Sequence, residues 1–227
     1  MNRQTAVLIF ANSSQEERKF KSFAKGDAFV EELNKNILQT VKNSKLPYYL
    51  FTEKEQVGKS FGERFCNAIQ AVFEKGFDSV ITVGNDTPQL RKHHILQAAI
   101  EIDQNKSVLG PSIDGGFYLM GLSKKQFSQI SFLDLPWQKK SLVKTIVLQF
   151  AATQTEVVKL DTLLDVDSTS DLRALFKLSQ FISKKLLSIL SSLLSAKLCI
   201  SLAWKLFIDR WERKHYFNKG SPESPAI

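Results

Sequence analysis

The sequence predicts an α/β protein: a mostly parallel sheet sandwiched by helices, followed by a long C-terminal amphipathic helix. Three observations carry this expectation. The run TAVLIFA (5–11) is continuously apolar, as a central strand covered on both faces must be. Apolar runs then alternate with amphipathic helical segments, the order that builds right-handed βαβ units. Two of the extended runs stop on Asp86 and Gly110, which brings them to the edge where open α/β sheets bind ligands. A chain of 227 residues suits one sizeable domain plus an appendage, and 43% hydrophobic with 24% charged residues is globular rather than disordered material.

The elements follow in order. After the first strand, NSSQEERKFKSFAKG (12–26) reads as a polar loop, and a helix with Asp27 as its N-cap runs to Val41, with Phe29, Val30, Leu33 and Ile37 on its apolar face. LPYYLFT (46–52) is the second strand, with Pro47 at its entry, where a missing N–H is tolerated. Gly58 and Gly62 flank the way into a helix over 63–75 that closes at Gly76. DSVITVG (78–84) is the third strand, and a helix follows Pro88. SVLG (107–110) is a short strand, and GFYLMGL (116–122) alternates like a strand that turns back. Two short amphipathic pieces, a strand near Glu156–Leu160 and LLDVDSTSDLRAL (163–175) complete the body; there Asp165 and Asp167 end an extended stretch and Ser168 or Ser170 can cap the next helix.

From Leu175 to Trp211 the pattern becomes one long helix. Leu175, Leu178, Ile182, Leu186, Ile189, Leu193, Ile200, Trp204, Phe207 and Trp211 share a stripe at 100° per residue. This divides the chain into a domain over 1–173, a basic helical tail over 174–214 and a disordered end over 215–227. Charge divides the same way. Residues 1–172 hold 21 basic against 20 acidic side chains, whereas 173–227 hold 10 against 3. A near-neutral body argues against nucleic acid as a partner, and the basic character belongs to the tail. Residues 186–208 would span about 34 Å as a helix, enough to cross a bilayer, but Lys197 at the midplane would cost about 2.5–3.5 kcal/mol. Lying on an anionic membrane surface avoids that cost; packing on the domain or on a second subunit is the alternative. The opening residues read as a strand and not as a leader, so the expected location is cytoplasmic, peripheral on the inner face of the membrane if the tail binds there.

Several residues can carry chemistry. Asp86 lies in V-G-N-D-T-P, where Gly84 admits a ligand close to the backbone. Its carboxylate either caps the following helix or holds Mg²⁺ or Mn²⁺ together with substrate phosphates. Asp114-Gly115-Gly116 is either a hairpin turn or a place where a substrate meets the backbone. Asp165 and Asp167 flank Val166, so in extended backbone they point the same way and either could reach a metal held by Asp86. His93 and His94 are neighbours on a helix and do not share a face. There is no Ser/His/Asp or Cys/His arrangement and no P-loop pattern, so covalent catalysis is not expected.

With these motifs assembled, residues 5–175 resemble the DUF2064 group of small GT-A-like transferases, candidate glycosyltransferases akin to the molybdenum-cofactor type of nucleotidyltransferase. Gly84 to Leu90 is similar to the family's G-S-D-x-P-x-L, and Gly110 to Leu122 to G-P-x-x-D-G-G-[FY]-Y-L-x-G-L. Gln56 to Arg64 is similar to Q-x-G-x-x-[LF]-G-E-R, and Asp165 to Ser168 to D-V-D-[ST]. The resemblance implies a GT-A-like nucleotide-diphospho-sugar transferase fold, a nucleotide-sugar donor over the first strands, and a divalent ion held by Asp86 with Asp167. It further implies an acceptor near Asp114–Tyr118, with Asp114 the first candidate to take the acceptor's proton and Gly84, Gly115, Gly116, Tyr118, Lys21 and Arg64 around the substrates. The implied activity is metal-dependent glycosyl transfer; nucleotidyl transfer on the same fold, or binding without catalysis, are the alternatives. One segment departs from the family. Its first strand is followed by a Pro- and Gly-containing loop ending in K-T-R-L, where this chain keeps Lys21 and Ser22 but has Phe23 in place of the Arg and neither Pro nor Gly in the matching stretch.

Overall fold

The computed structural model describes residues 4–21 and 28–195. Strands β1 (Thr5–Phe10), β2 (Tyr48–Phe51), β3 (Ser79–Val83), β4 (Ser107–Pro111), β5 (Phe117–Ser123) and β6 (Val157–Lys159) form one sheet in the order β2-β1-β3-β5-β4-β6. β1 pairs in parallel with β2 and β3, and β4 in parallel with β6, while β5 runs antiparallel to both β3 and β4. The reversal follows from the chain: four residues, Ile113 to Gly116, separate an isolated bridge at Ser112 from β5, too few for a crossover. Because β5 enters where β3 and β4 leave, its first residue joins their C-terminal ends on one edge.

β1 shows why its apolar run is unbroken. Ala6 and Leu8 face a cluster with Phe65, Ile69, Val72, Ile146 and Phe150, whereas Val7, Ile9 and Ala11 face Ile37, Val41, Ile95 and Ile102. The first cluster lies under α3 (Phe61–Phe73) and α6 (Leu142–Ala152); the second lies under α2 (Ala28–Ser44) and α4 (Lys92–Asp103). The helices thus cover both faces, with α5 (Lys124–Ser128) a single turn after β5.

The structure differs from the sequence reading at three places, and one expectation lies outside the described residues. Residues 14–20, expected in a loop, form α1 (Ser14–Phe20), and Lys21 directly follows it. Asp27, the expected cap of α2, lies outside the described residues. α4 begins at Lys92, so Asp86 caps nothing; the Arg91 N–H is met instead by His94 Nδ1 at 3.0 Å. The expected long helix has a break: α7 (Thr169–Lys177) ends, a 3₁₀ turn covers Ser179–Phe181, and helix resumes over 184–195 with the Ser183 hydroxyl accepting from Leu186 N at 3.1 Å. Ile182, Leu186 and Leu190 are buried against Phe29, Val30 and Leu33 of α2 and against Val166, Leu172 and Leu175. No helix among the described residues is long and apolar enough to cross a membrane.

Candidate functional site

Each acidic residue reaches the sheet edge by its own local route. β3 ends at Val83, and the chain continues through Gly84 and Asn85 to Asp86 without entering a helix. Asp114 follows the β4 exit, where Gly115 takes φ +96° and a Cβ on it would lie 2.3 Å from the Lys140 carbonyl oxygen. A side chain is excluded there twice, by backbone conformation and by the Lys140 main chain. The turn reading of Asp114 holds, since its Oδ1 accepts from Gly116 N at 2.9 Å, yet the same side chain faces the site. Asp165 and Asp167 come from the segment before α7. There Ser168 is the N-cap in a capping box with Asp171, whose Oδ2 accepts from Ser168 N at 2.7 Å and Asp167 N at 3.1 Å.

These carboxylates surround a cavity of about 320 Å³. Its lining combines the acidic Asp86, Asp114, Asp165 and Asp167 with the aromatic Phe10, Phe61, Phe65, Phe117 and Trp137. The rings hold one another in place: Phe10 lies 5.3 Å from Phe65, and Trp137 lies 5.1 Å from Phe61 and 5.2 Å from Phe65. The Trp137 indole N–H donates to the Phe132 carbonyl at 2.8 Å, fixing its plane. A second cavity of about 410 Å³ shares Phe10, Phe61, Asp86 and Gln138 with the first and adds Asn12, Glu17, Gln56, Asn85 and Arg64. Gln138, on the shared boundary, has φ +61°, a conformation uncommon outside Gly, Asn and Asp.

Lys21 sits among the carboxylates of Asp86, Asp167 and Glu17. Its ammonium contacts Asp86 Oδ1 directly, lies 3.2 Å from Glu17 Oε1 and 3.4 Å from Asp167 Oδ1, and its side chain is 4% exposed. Burial acts against the charged ammonium, but the attraction of Asp86 and Glu17 outweighs it and raises the lysine's pKa, so this is the partner that keeps its proton. Burial also pushes the Asp86 carboxyl upward, opposed by the pull of Lys21. Asp165 is raised by burial as well, while the Thr87 hydroxyl donates to its Oδ1 and favours the charged form. A chain of amides ties the surroundings together: Asn85 Nδ2 donates to Asn34 Oδ1 at 2.6 Å, Asn34 Nδ2 to Ser14 Oγ at 3.0 Å, and Asn12 Nδ2 to Glu17 Oε2 at 3.1 Å.

The structure brings together Gly84, Asp86, Asp114, Gly116, Tyr118 and Asp167 around the first cavity, and Arg64 with Gln56 at the second. Gly84 faces open space, with no atom within 4 Å of a Cβ built on it. Gly115 serves the turn. Tyr118 is 2% exposed, its hydroxyl donates to the Asp161 carbonyl at 2.9 Å, and its ring lies 2.4 Å from where a Gly110 Cβ would be; it supports the site's floor from beneath. Lys21, expected among the substrate contacts, is turned toward carboxylates. Sequence reasoning missed Glu17, Trp137, Gln138 and the aromatic lining. Only Glu17 left a signal, its i,i+4 spacing to Lys21, and that has meaning only once α1 is known to be helical.

Whether these residues fit a divalent ion can be judged from the donor set. Among the described residues no group of three His, Cys, Asp or Glu side chains is placed to hold a metal. Hard cations that also take substrate phosphates need only one or two carboxylates. Asp86 and Asp167 supply two, converging on the point that the Lys21 ammonium fills. The set therefore fits such an ion once the ammonium has moved.

An α/β sandwich with one reversed strand, β5, and an acidic strand-end site is a GT-A-like, Rossmann-like fold, and comparisons with known proteins agree. The family model described as an uncharacterized protein conserved in bacteria (DUF2064) matches residues 39–139. A candidate nucleotide-diphospho-sugar transferase from Desulfovibrio desulfuricans is 19% identical, covering 84% of this chain and 95% of that one, with a TM-score of 0.69. The 4-diphosphocytidyl-2C-methyl-D-erythritol synthase of Anaerococcus prevotii is 10% identical, covering 75% of this chain and 95% of that one, with a TM-score of 0.51. At these identities the likeness is one of fold. Comparison with curated proteins gives no match.

Proposed function

We infer that this protein transfers a glycosyl group from a nucleotide sugar to an acceptor with the help of a divalent ion, Mg²⁺ or Mn²⁺. The observation that carries the reading is the convergence of Asp86, Asp114, Asp165 and Asp167 on one cavity that opens beside a second, polar one at the same strand ends. The second cavity suits the donor's nucleotide and diphosphate, with Arg64 and Gln56 as polar contacts, while Gly84 leaves room at the backbone of the first. The first suits sugar and acceptor: aromatic faces take the apolar faces of a pyranose, and carboxylates take its hydroxyls. Bound by Asp86 and Asp167, the ion would supply Lewis-acid neutralisation of the diphosphate leaving group.

In this reading the protein's own groups do the rest. Asp114 uses Oδ1 to accept from Gly116 N, which leaves Oδ2 to accept the acceptor hydroxyl's proton. Asp165, raised by burial and held by the Thr87 hydroxyl, is a fixed acceptor in the cavity lining for a substrate hydroxyl. The aromatic lining excludes water from the bond that breaks. We assign the transferase fold to residues 1–173 and propose an anionic membrane surface as the partner of the tail beyond 195.

The test is a binding panel of UDP-, GDP- and TDP-sugars and nucleoside triphosphates with Mn²⁺, on wild type and Asp86→Asn. Sugar-nucleotide binding that Asp86→Asn abolishes supports the proposal. Preference for a triphosphate with pyrophosphate release redirects it to nucleotidyl transfer, and no metal-dependent nucleotide binding sinks both.

A further inference from the structure

Lys21 is held more tightly than a phosphate contact awaiting its ligand needs to be. Its backbone N–H donates to the Glu17 carbonyl at 3.0 Å, which anchors the residue to the end of α1. Its side chain, 4% exposed, reaches three carboxylates from three separate elements: Glu17 of α1, Asp86 after β3 and Asp167 before α7. Without a cation among them, three carboxylates this close would repel one another, Glu17 and Asp86 most, since Asp167 is the exposed member of the three. A lysine suits the position because its ammonium is a compact point charge, whereas a guanidinium presents a broad planar fork.

Asp86 and Asp167 are also the residues proposed to hold the divalent ion. An ammonium on Asp86 Oδ1 and beside Asp167 Oδ1 competes with a metal ion for those oxygens, since both are positive and both take the same space. We propose that Lys21 is the resident cation of this site and that a divalent ion enters only by displacing it from Asp86 and Asp167. This rests on the proposed metal site. Glu17, the carboxylate left to the displaced ammonium, also lines the neighbouring cavity that holds Arg64 and Gln56. The released charge therefore lies beside the space assigned to the donor diphosphate, and ion arrival frees a basic group for the anion that accompanies it.

The probe is Mn²⁺ alone, without nucleotide, followed by the loss of the free-ion electron paramagnetic resonance signal. Lys21→Met is expected to bind Mn²⁺ at least about tenfold more tightly than wild type, since a direct ion-pair competitor of about 1.4 kcal/mol or more has been removed. Lys21→Arg, which keeps the charge, should stay within about threefold of wild type. Unchanged or weaker Mn²⁺ binding by a folded Lys21→Met, or no Mn²⁺ binding by either protein, overturns the proposal. Should Lys21→Met not fold, the wild type answers by itself: Lys21 should resist reductive methylation and become reactive as Mn²⁺ saturates, and a lysine still protected at saturation overturns it. Both readouts are independent of nucleotide. If Mn²⁺ competes with Lys21 but no sugar nucleotide binds, it is the glycosyl-transfer reading that fails.

Discussion

His94 lies away from the proposed chemistry, at the first turn of α4, and shows how burial sets a charge state. It is 5% exposed, its Nδ1 accepts from the Arg91 N–H, and its ring lies 6.0 Å from that of Tyr118. Burial, aided by repulsion from His93, lowers its pKa to about 4. An unfolded-chain histidine titrates near about 6.5, so between those values the unfolded state binds more protons and stability falls as the solution is acidified. The loss at this residue should be about 2 kcal/mol between pH 7 and pH 5. Urea denaturation at the two pH values checks this; His94→Gln should flatten the difference, and equal slopes in the two proteins would refute it. Gly84 offers a contrasting case, because a side chain there projects into free space. Gly84→Val should change stability by no more than about 0.5 kcal/mol, as at a site without packing consequences. It should nonetheless weaken sugar-nucleotide binding at least about tenfold if that space receives the donor. Calorimetry of folding and of binding separates the two effects, and unimpaired binding would move the donor elsewhere.

Among elements, legibility in the sequence tracked how local the cause was. β1 was readable because both its faces are covered, so an uninterrupted apolar run was obligatory, and β3 because Val80, Ile81 and Val83 serve both clusters although Ser79 and Thr82 interrupt the run. α3 was readable from its apolar spacing and its glycine stop. α1 was not: it has no apolar stripe, and its local cap, Ser13, is itself held from a distance, with Glu53 accepting from Ser13 N at 2.7 Å and Ser13 Oγ at 2.8 Å. The position of Lys21 was hidden for the same reason, since it depends on α1 and on residues 65 and 146 positions away. Asp86, Asp114 and Asp167 were found because each ends or precedes a recognisable element. α7 links this to a measurable effect. Its capping box also holds the Asp167 backbone, so Ser168→Ala should cost about 1 kcal/mol of stability. The same variant should weaken Mn²⁺ binding as Asp167 loosens. Thermal melts and Mn²⁺ titration check the pair of effects; a stability loss with Mn²⁺ binding intact would mean that the cap does not position Asp167.

At the scale of the whole molecule, the apolar stripe that reads as one tail serves the domain over its first part. Leu186 and Leu190 are fully buried and Ile182 nearly so, against α2, Lys185 pairs with Glu32 at 2.8 Å, and the Arg91 guanidinium donates to the Phe181 carbonyl. Burying each such aliphatic side chain contributes about 1.5–3 kcal/mol, offset in part by the cost of ordering the helix. A chain ended after Phe176 should therefore lose several kcal/mol and expose Phe29, Val30 and Leu33, whereas a chain ended after Ser195 keeps all these contacts. The stripe continues in sequence through Ile200, Trp204, Phe207 and Trp211 beside a basic excess, outside the described residues. If that part meets an anionic surface, ending the chain after Ser195 should leave the melting temperature unchanged while abolishing flotation with phosphatidylserine-containing vesicles. Ending it after Phe176 should lower the melting temperature as well. Flotation by the Ser195-ended chain equal to that of the full chain would remove the membrane role from the tail. An unchanged melting temperature after Phe176 would show that the α2 contact, though buried, adds nothing to the domain's stability.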